Sequence, residues 1–175
     1  MRNSWIIKIV LFSVALSTVF TLFSTRAVSR AGYAVAFLIL LLFISVGVLF
    51  DMVGVAVTSA KEAPFHAMAA HRERGAREAI SLVRNAGKVS SVCNDVVGDI
   101  AGIVSGTTAA IVTERLSANL AFSQLAVALI VSGAVTGLTI GGKAACKSVA
   151  LKKSRFIILG VGRIIRFVSP RKKRK

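Results

Sequence analysis

Negative charge is scarce in this sequence: seven Asp and Glu stand against twenty-three Lys and Arg, for a formal net charge of +16. A pI near 11.4 admits nucleic acid as a class of partner. No nucleic-acid recognition module is visible, however, and a mean hydropathy of +0.75 directs the basic segments to anionic lipid instead. Cysteine is nearly absent as well. Cys93 and Cys146 belong to no C-x-x-C or Cys/His cluster, so nothing points to a disulfide or to zinc. The two histidines, His66 and His71, are five residues apart and do not share a helix face, which makes them a poor metal pair. The chain lacks a nucleophile–base pair, a P-loop and a zinc signature. Gly160-Val-Gly162 sits in a basic segment with no strand before it and is not a dinucleotide fingerprint. An enzyme is not expected.

What the sequence has in abundance is apolar residues, 55% of the chain, gathered in long blocks. A helix crossing a bilayer needs ~20 mostly apolar residues. Four stretches qualify: Trp5 to Phe23, Tyr33 to Val57, Val89 to Val112, and Leu120 to Ile140. The expected fold class is therefore an all-α integral membrane protein with four transmembrane helices. The first stretch also reads as a signal peptide, since Arg2 precedes an apolar run. The segment after it, Ser24 to Arg30, lacks a clean A-x-A cleavage site and the run is long for such a peptide, which favours a retained helix.

Positive charge sets orientation. Residues 60–88 carry Lys61, Arg72, Arg74, Arg77, Arg84 and Lys88, and twelve Lys and Arg lie from Lys143 onward. Four spans with both termini cytoplasmic put these regions on one side of a cell membrane, leaving Arg26 and Arg30 outside. Both regions carry helical amphipathic patterns suited to the membrane interface: Phe65, Met68, Ala69, Ala76, Ile80 and Val83 in the first, Phe156, Leu159, Ile164, Ile165, Phe167 and Val168 in the second. Ser169-Pro170 ends the second helix, and Arg171 to Lys175 forms a polybasic end. Anionic headgroups are the expected partner of this tail, with a topology anchor as the plainer account. The chain thus divides into an N-terminal helix with a short outer connection (1–30), a membrane domain (31–150) and a basic interfacial segment (151–175).

Three of the seven acids, Asp51, Asp95 and Asp99, fall inside predicted spans. A charge at a span centre costs ~2.5–3.5 kcal/mol on insertion scales, so such residues usually face a partner, a cavity or an ion. Gly47, Asp51 and Gly54 line one face of the second helix. Asn94, Gly98, Gly102 and Gly106 form a stripe on the third, with Asp95 and Asp99 beside it; Gly133, Gly137 and Gly141 repeat the spacing on the fourth. Small residues four apart allow close helix approach in lipid, which places the acids on packing faces. Asp51 lies ~15 Å along the helix from Lys61 and Asp99 ~16 Å from Lys88, so the two carboxylates are expected at similar depth. Carboxylates and an Asn carbonyl are hard oxygen ligands that suit Mg²⁺, and equally Na⁺ or a proton relay. Pairing of Asp51 with a basic residue, or simple hydration of Asp95 and Asp99 near the surface, are the structural alternatives.

Three segments in order resemble the DUF21-type membrane domain of the CorB/CorC (cyclin M-like) magnesium and cobalt transport family. Phe50-Asp-Met-Val-Gly-Val-Ala-Val-Thr-Ser59 is similar to F-S-x-x-E-x-A-L-T-S, Cys93-Asn-Asp-Val-Val-Gly98 to G-N-N-L-V-N, and Gly142-Lys-Ala-Ala-Cys-Lys-Ser-Val-Ala150 to G-E-x-x-P-K-T-x-A. The resemblance spans about residues 31–170. It implies a helical membrane domain, a homodimer, and a Mg²⁺ or Co²⁺ ion held between helices by Asp51, Asn94 and the backbone of Gly142. Gly54 and Lys143 stand where the family has Glu, Cys146 where it has Pro, and the family's nucleotide-binding CBS pair is not expected. The expectation is a protein that binds or transports a divalent cation at a site of Asp51, Asn94 and Asp99, with Asp95 at its mouth. A non-transporting scaffold or regulator, acting through its basic tail, is the alternative.

Overall fold

The computed structural model describes residues 2–30, 32–119 and 123–168. Among them there is no strand; the chain is a succession of helices. They are α1 (Arg2–Arg30), α2 (Tyr33–Ser59), α3 (Ala63–Ala70), α4 (Ala76–Arg84), α5 (Ala86–Ser91), a π-helical turn (Val92–Gly98), α6 (Asp99–Asn119), α7 (Gln124–Lys152) and α8 (Ser154–Val168). Four segments are long and apolar enough to cross a membrane: Ile9–Val28, Tyr33–Ser59, Ala86–Ala118 and Gln124–Lys152. They match the four runs seen in the sequence, each ending later than expected. Leu120, where the fourth run was expected to begin, lies outside the described residues, as do Ser169, Pro170 and the polybasic end.

The chain divides into two compact units, Met1–Leu49 with Val96–Lys143 and Phe50–Asp95 with Ala144–Lys175. In the first, α1 packs on α6. Val96, Ile100 and Val104 are buried there against Ile9, Leu16 and Phe43, and Phe20 meets Phe43 edge to face with ring centroids 5.9 Å apart. Ser24 and Thr108 are buried and share a hydroxyl–hydroxyl bond of 2.9 Å. Thr108 also donates to the Val104 carbonyl at 2.8 Å, so the pair satisfies itself without water. Tyr33 donates its hydroxyl to the Arg115 carbonyl at 3.0 Å. The glycine stripes divide in two. A Cβ on Gly47 would stand 3.1 Å from the Ala101 Cβ, a true close approach. Gly102, Gly106, Gly133, Gly137 and Gly141 have nothing within 4 Å of a Cβ, so within the chain these are not packing faces. A groove of about 460 Å³ is lined by one of them, Gly106, with Thr113, Ser132 and Thr136 among others.

The second unit is built on a core of Ala56, Val57, Phe65, Ala76, Ala79, Ala150, Ile158 and Leu159. The basic stretch 60–88 is helical as expected, but broken into short pieces. The break falls at residues 71–75, where Arg72 (φ 55°) and Gly75 (φ 86°) take left-handed conformations that end one helix and turn the chain into the next. Gly75 has a second reason to be glycine. Its backbone lies against that of Gly162, and a Cβ on Gly75 would come within 2.6 Å of the Arg163 nitrogen. This is how α4 and α8 meet with their backbones nearly in contact. Ion pairs rim the unit: Arg84 and His66 reach one Glu62 oxygen at 2.6 and 2.7 Å, and Arg163 bonds Glu73 at 3.0 Å. These pairs are exposed and contribute little individually.

The backbone contact and the Glu62 pairs each yield a measurable expectation. A Cβ on Gly162 would collide with the Gly75 carbonyl, whereas Gly160 has open space. Gly162→Ala should therefore destabilise the unit by ~1–3 kcal/mol, and Gly160→Ala should be neutral or slightly stabilising. Thermal unfolding in detergent measures both. Hydrogen bonds from His66 and then Arg84 hold the Glu62 carboxyl below its ordinary 4.5. A lowered carboxyl stabilises the fold above the unfolded-chain value and loses that contribution as pH falls through the folded value. Below pH 4.5 the melting temperature should fall less steeply in Glu62→Gln than in the wild type.

Candidate site around Asn94

The third span does not run as one regular α-helix. Residues Val92–Gly98 form a π-helical turn that carries both Asn94 and Asp95. A π-turn widens the helix locally, changes the angular step between residues, and is common where a side chain is needed in a special position. It shifts the phase of the residues beyond it, so the regular stripe from Asn94 to Gly106 drawn from an ideal helix does not carry through.

Asn94 uses that turn to reach α2. Its carboxamide lies against Gly54 so closely that a Cβ there would overlap the Asn94 Oδ1. The amide nitrogen donates to Ser90 Oγ at 3.3 Å. The amide oxygen is buried and accepts no hydrogen bond. A buried carbonyl oxygen with no donor costs about 1–3 kcal/mol, and native proteins rarely leave one so. Thr58, one turn further on, is already committed, donating to the Gly54 and Val55 carbonyls at 3.2 and 3.0 Å. Asp51 is half-buried and stands three residues before Gly54, on the same side of α2 within one turn. An amide oxygen with no donor and a nearby carboxylate form a hard-oxygen acceptor set.

The other expected ligands are placed differently. Asp95 and Asp99 are both exposed in the single chain. Asp95 belongs with Asn94 and Asp51 to the second unit, whereas Asp99 belongs to the first, as does Gly142. A Cβ on Gly142 would stand 3.1 Å from a Val48 methyl. Helix α7 runs unbroken through it, and a carbonyl inside an unbroken helix is normally taken by the N–H four residues on. Among the described residues, no group of three or more His, Cys, Asp and Glu is arranged to hold a metal. Only an oxygen set that counts amide, hydroxyl or water ligands fits here. Sequence reasoning named Asn94 and Asp51 but missed Ser90, which anchors the amide, and the direct contact with Gly54. A glycine where the resembled family has Glu was the available signal, since it leaves room for a side chain from elsewhere. The remaining buried oxygen without a partner among the described residues, Glu78 Oε2, stands in the first turn of α4, where the helix dipole favours negative charge.

The Gly54 contact is testable by coupling. Gly54→Ala should push the Asn94 amide onto another rotamer at a cost of ~0.5–1.5 kcal/mol. Asn94→Ala in the same chain should remove that penalty. A double-mutant cycle on unfolding in detergent measures the interaction, and simple additivity would mean the two residues do not touch. Compared with family models, curated proteins and solved structures, the chain matches none.

Proposed function

We propose that this protein is a multi-pass membrane protein that binds a divalent cation, Mg²⁺ in the first place, through Asn94 and Asp51, and carries it from the cytoplasmic side. One observation supports this above the others: the Asn94 carbonyl oxygen is buried, held in place from its amide nitrogen by Ser90, and left without a donor. A cation supplies what that oxygen lacks. Mg²⁺ fits such a site because it keeps several of its waters and takes few protein ligands, so an amide and one carboxylate suffice to hold it. Co²⁺ accepts the same ligands with less preference for oxygen, and Na⁺ gains less from the carboxylate.

The order of residues suggests a route. Asp95 is exposed beside Asn94 on the same π-turn and attracts a hydrated cation; Asp51 and Asn94 then replace part of its water. With both termini cytoplasmic, the basic stretch 60–88 and the basic C-terminal region stand on the side from which the ion arrives. The ordered resemblance to the CorB/CorC membrane domain points to the same ion class and to a homodimer.

Calorimetry with Mg²⁺ on the detergent-solubilised full chain tests the reading. Wild type should bind, and Asp51→Asn and Asn94→Ala should each weaken binding at least about tenfold, a change of ~1.4 kcal/mol. Gly102→Ala, in open space, should leave it unchanged. Equal affinity in wild type and both site variants would overturn the proposal.

A further inference from the structure

Helix α8 is amphipathic in an unusual sense: both of its long faces are apolar. One face is used. Ile158, Leu159 and Gly162 are buried, and Gly162 lies against Gly75 and Ala79 at the start of α4. The opposite face has no cover in the chain. Phe156, Ile164, Phe167 and Val168 are 69%, 64%, 88% and 76% exposed. At ~100° per residue these four fall within a sector of about 120°, with no charged residue among them. By the same step Arg163 stands about 20° outside this sector, and Arg166 and Arg155 about 80° and 100° outside it on the same side; Arg155 stands 5.7 Å from the centre of the Phe156 ring.

We propose that this uncovered face of α8 inserts into the surface of an anionic lipid bilayer, with Arg155 and Arg166 reaching the headgroups from its flank. Two features select lipid over a protein partner. Charge is the first. The last acidic residue of the chain is Glu114, so neither α7 nor α8 has a carboxylate of its own; Arg163 is paired with Glu73 ahead of α4, which leaves Arg155 and Arg166 for the headgroups. Connectivity is the second. Only Lys153 separates α8 from α7, a helix long and apolar enough to cross a membrane, and the Lys153 carbonyl accepts from the Ile157 nitrogen at 3.1 Å across the junction. A helix joined so tightly to a membrane span stays near the surface where the span emerges. Its apolar face then enters the headgroup–acyl boundary, as interfacial helices do, and each basic residue near an anionic surface adds ~1 kcal/mol. Because α4 is clamped on the far side of α8, the surface seats the whole α3–α4–α8 layer. This inference is independent of the cation reading.

Fluorescence of the full chain tests it. With Trp5→Phe and Phe167→Trp, the only tryptophan reports on the exposed face. The protein is reconstituted into phosphatidylcholine vesicles with brominated acyl chains, with and without phosphatidylglycerol. Brominated chains should quench the tryptophan about twofold or more while aqueous iodide quenches it little, and the lipid quenching should deepen when phosphatidylglycerol is present. Adding Arg155→Gln and Arg166→Gln should remove the dependence on phosphatidylglycerol. Strong quenching by iodide would overturn the proposal, because the face would then meet water. Protection from both quenchers would overturn it in favour of a protein partner or a second copy. Lipid quenching that ignores phosphatidylglycerol would overturn the role given to the arginines.

Discussion

An oxygen atom shut away from water must find a donor or a cation, and the lipid interior supplies neither. Helices meet that demand for the backbone, and the described part of the chain is helical almost throughout. Side chains meet it locally. Ser13, Thr18, Thr58, Ser105, Thr107 and Thr139 all donate to carbonyls of their own helices, and Ser24 and Thr108 bond each other. Against this background of hydroxyls satisfied close to home, the Asn94 oxygen stands out. It is not a stray group near a frayed end; it is pressed onto Gly54 and fixed from its nitrogen side. The arrangement costs free energy unless something completes it, and this is the physical root of the cation reading.

The broad fold was legible in the sequence because hydropathy needs no tertiary information. Blocks of apolar residues longer than a bilayer is thick admit few structures, and all four were visible from hydropathy alone. The amphipathic stretches were legible for the same reason: periodicity is local. What could not be seen was where the periodicity fails. Arg72 and Gly75 break the stretch 60–88 through positive φ, and arginine gives no warning of a left-handed conformation. The π-turn at Val92–Gly98 was equally hidden, since its sequence also suits an ordinary helix. Drawing Asn94, Gly98, Gly102 and Gly106 as one stripe assumed a regular step that the turn interrupts.

Glycine shows the same limit. The spacing of Gly133, Gly137 and Gly141 has the form of a packing seam, yet these residues face open space within the chain. Gly54, Gly75 and Gly162 belong to no obvious repeat, yet each allows a contact that a single methyl group would block. Spacing says that a close approach is feasible; only the neighbouring backbone or side chain says that it is used. The candidate site was therefore half legible. Asp51 and Asn94 were found because polar groups in an apolar run are conspicuous. Ser90 and Gly54 were ordinary until the fold set them beside the amide.

Charge is distributed unevenly along the chain. Acids occur only between Asp51 and Glu114, and basic residues dominate the chain beyond. If the C-terminal cations all served to neutralise carboxylates, acids would be interspersed among them, as they are around Glu62. On α8 Arg163 is paired with Glu73, from outside the helix; on the proposed seating, Arg155 and Arg166 and the bare apolar face beside them meet a partner both greasy and negatively charged. A lipid surface has both properties at once. On that proposal the same surface limits where the short helices α3 and α4 stand, because α4 is fixed to α8 by backbone contact at Gly75 and Gly162, an approach no larger side chains would permit.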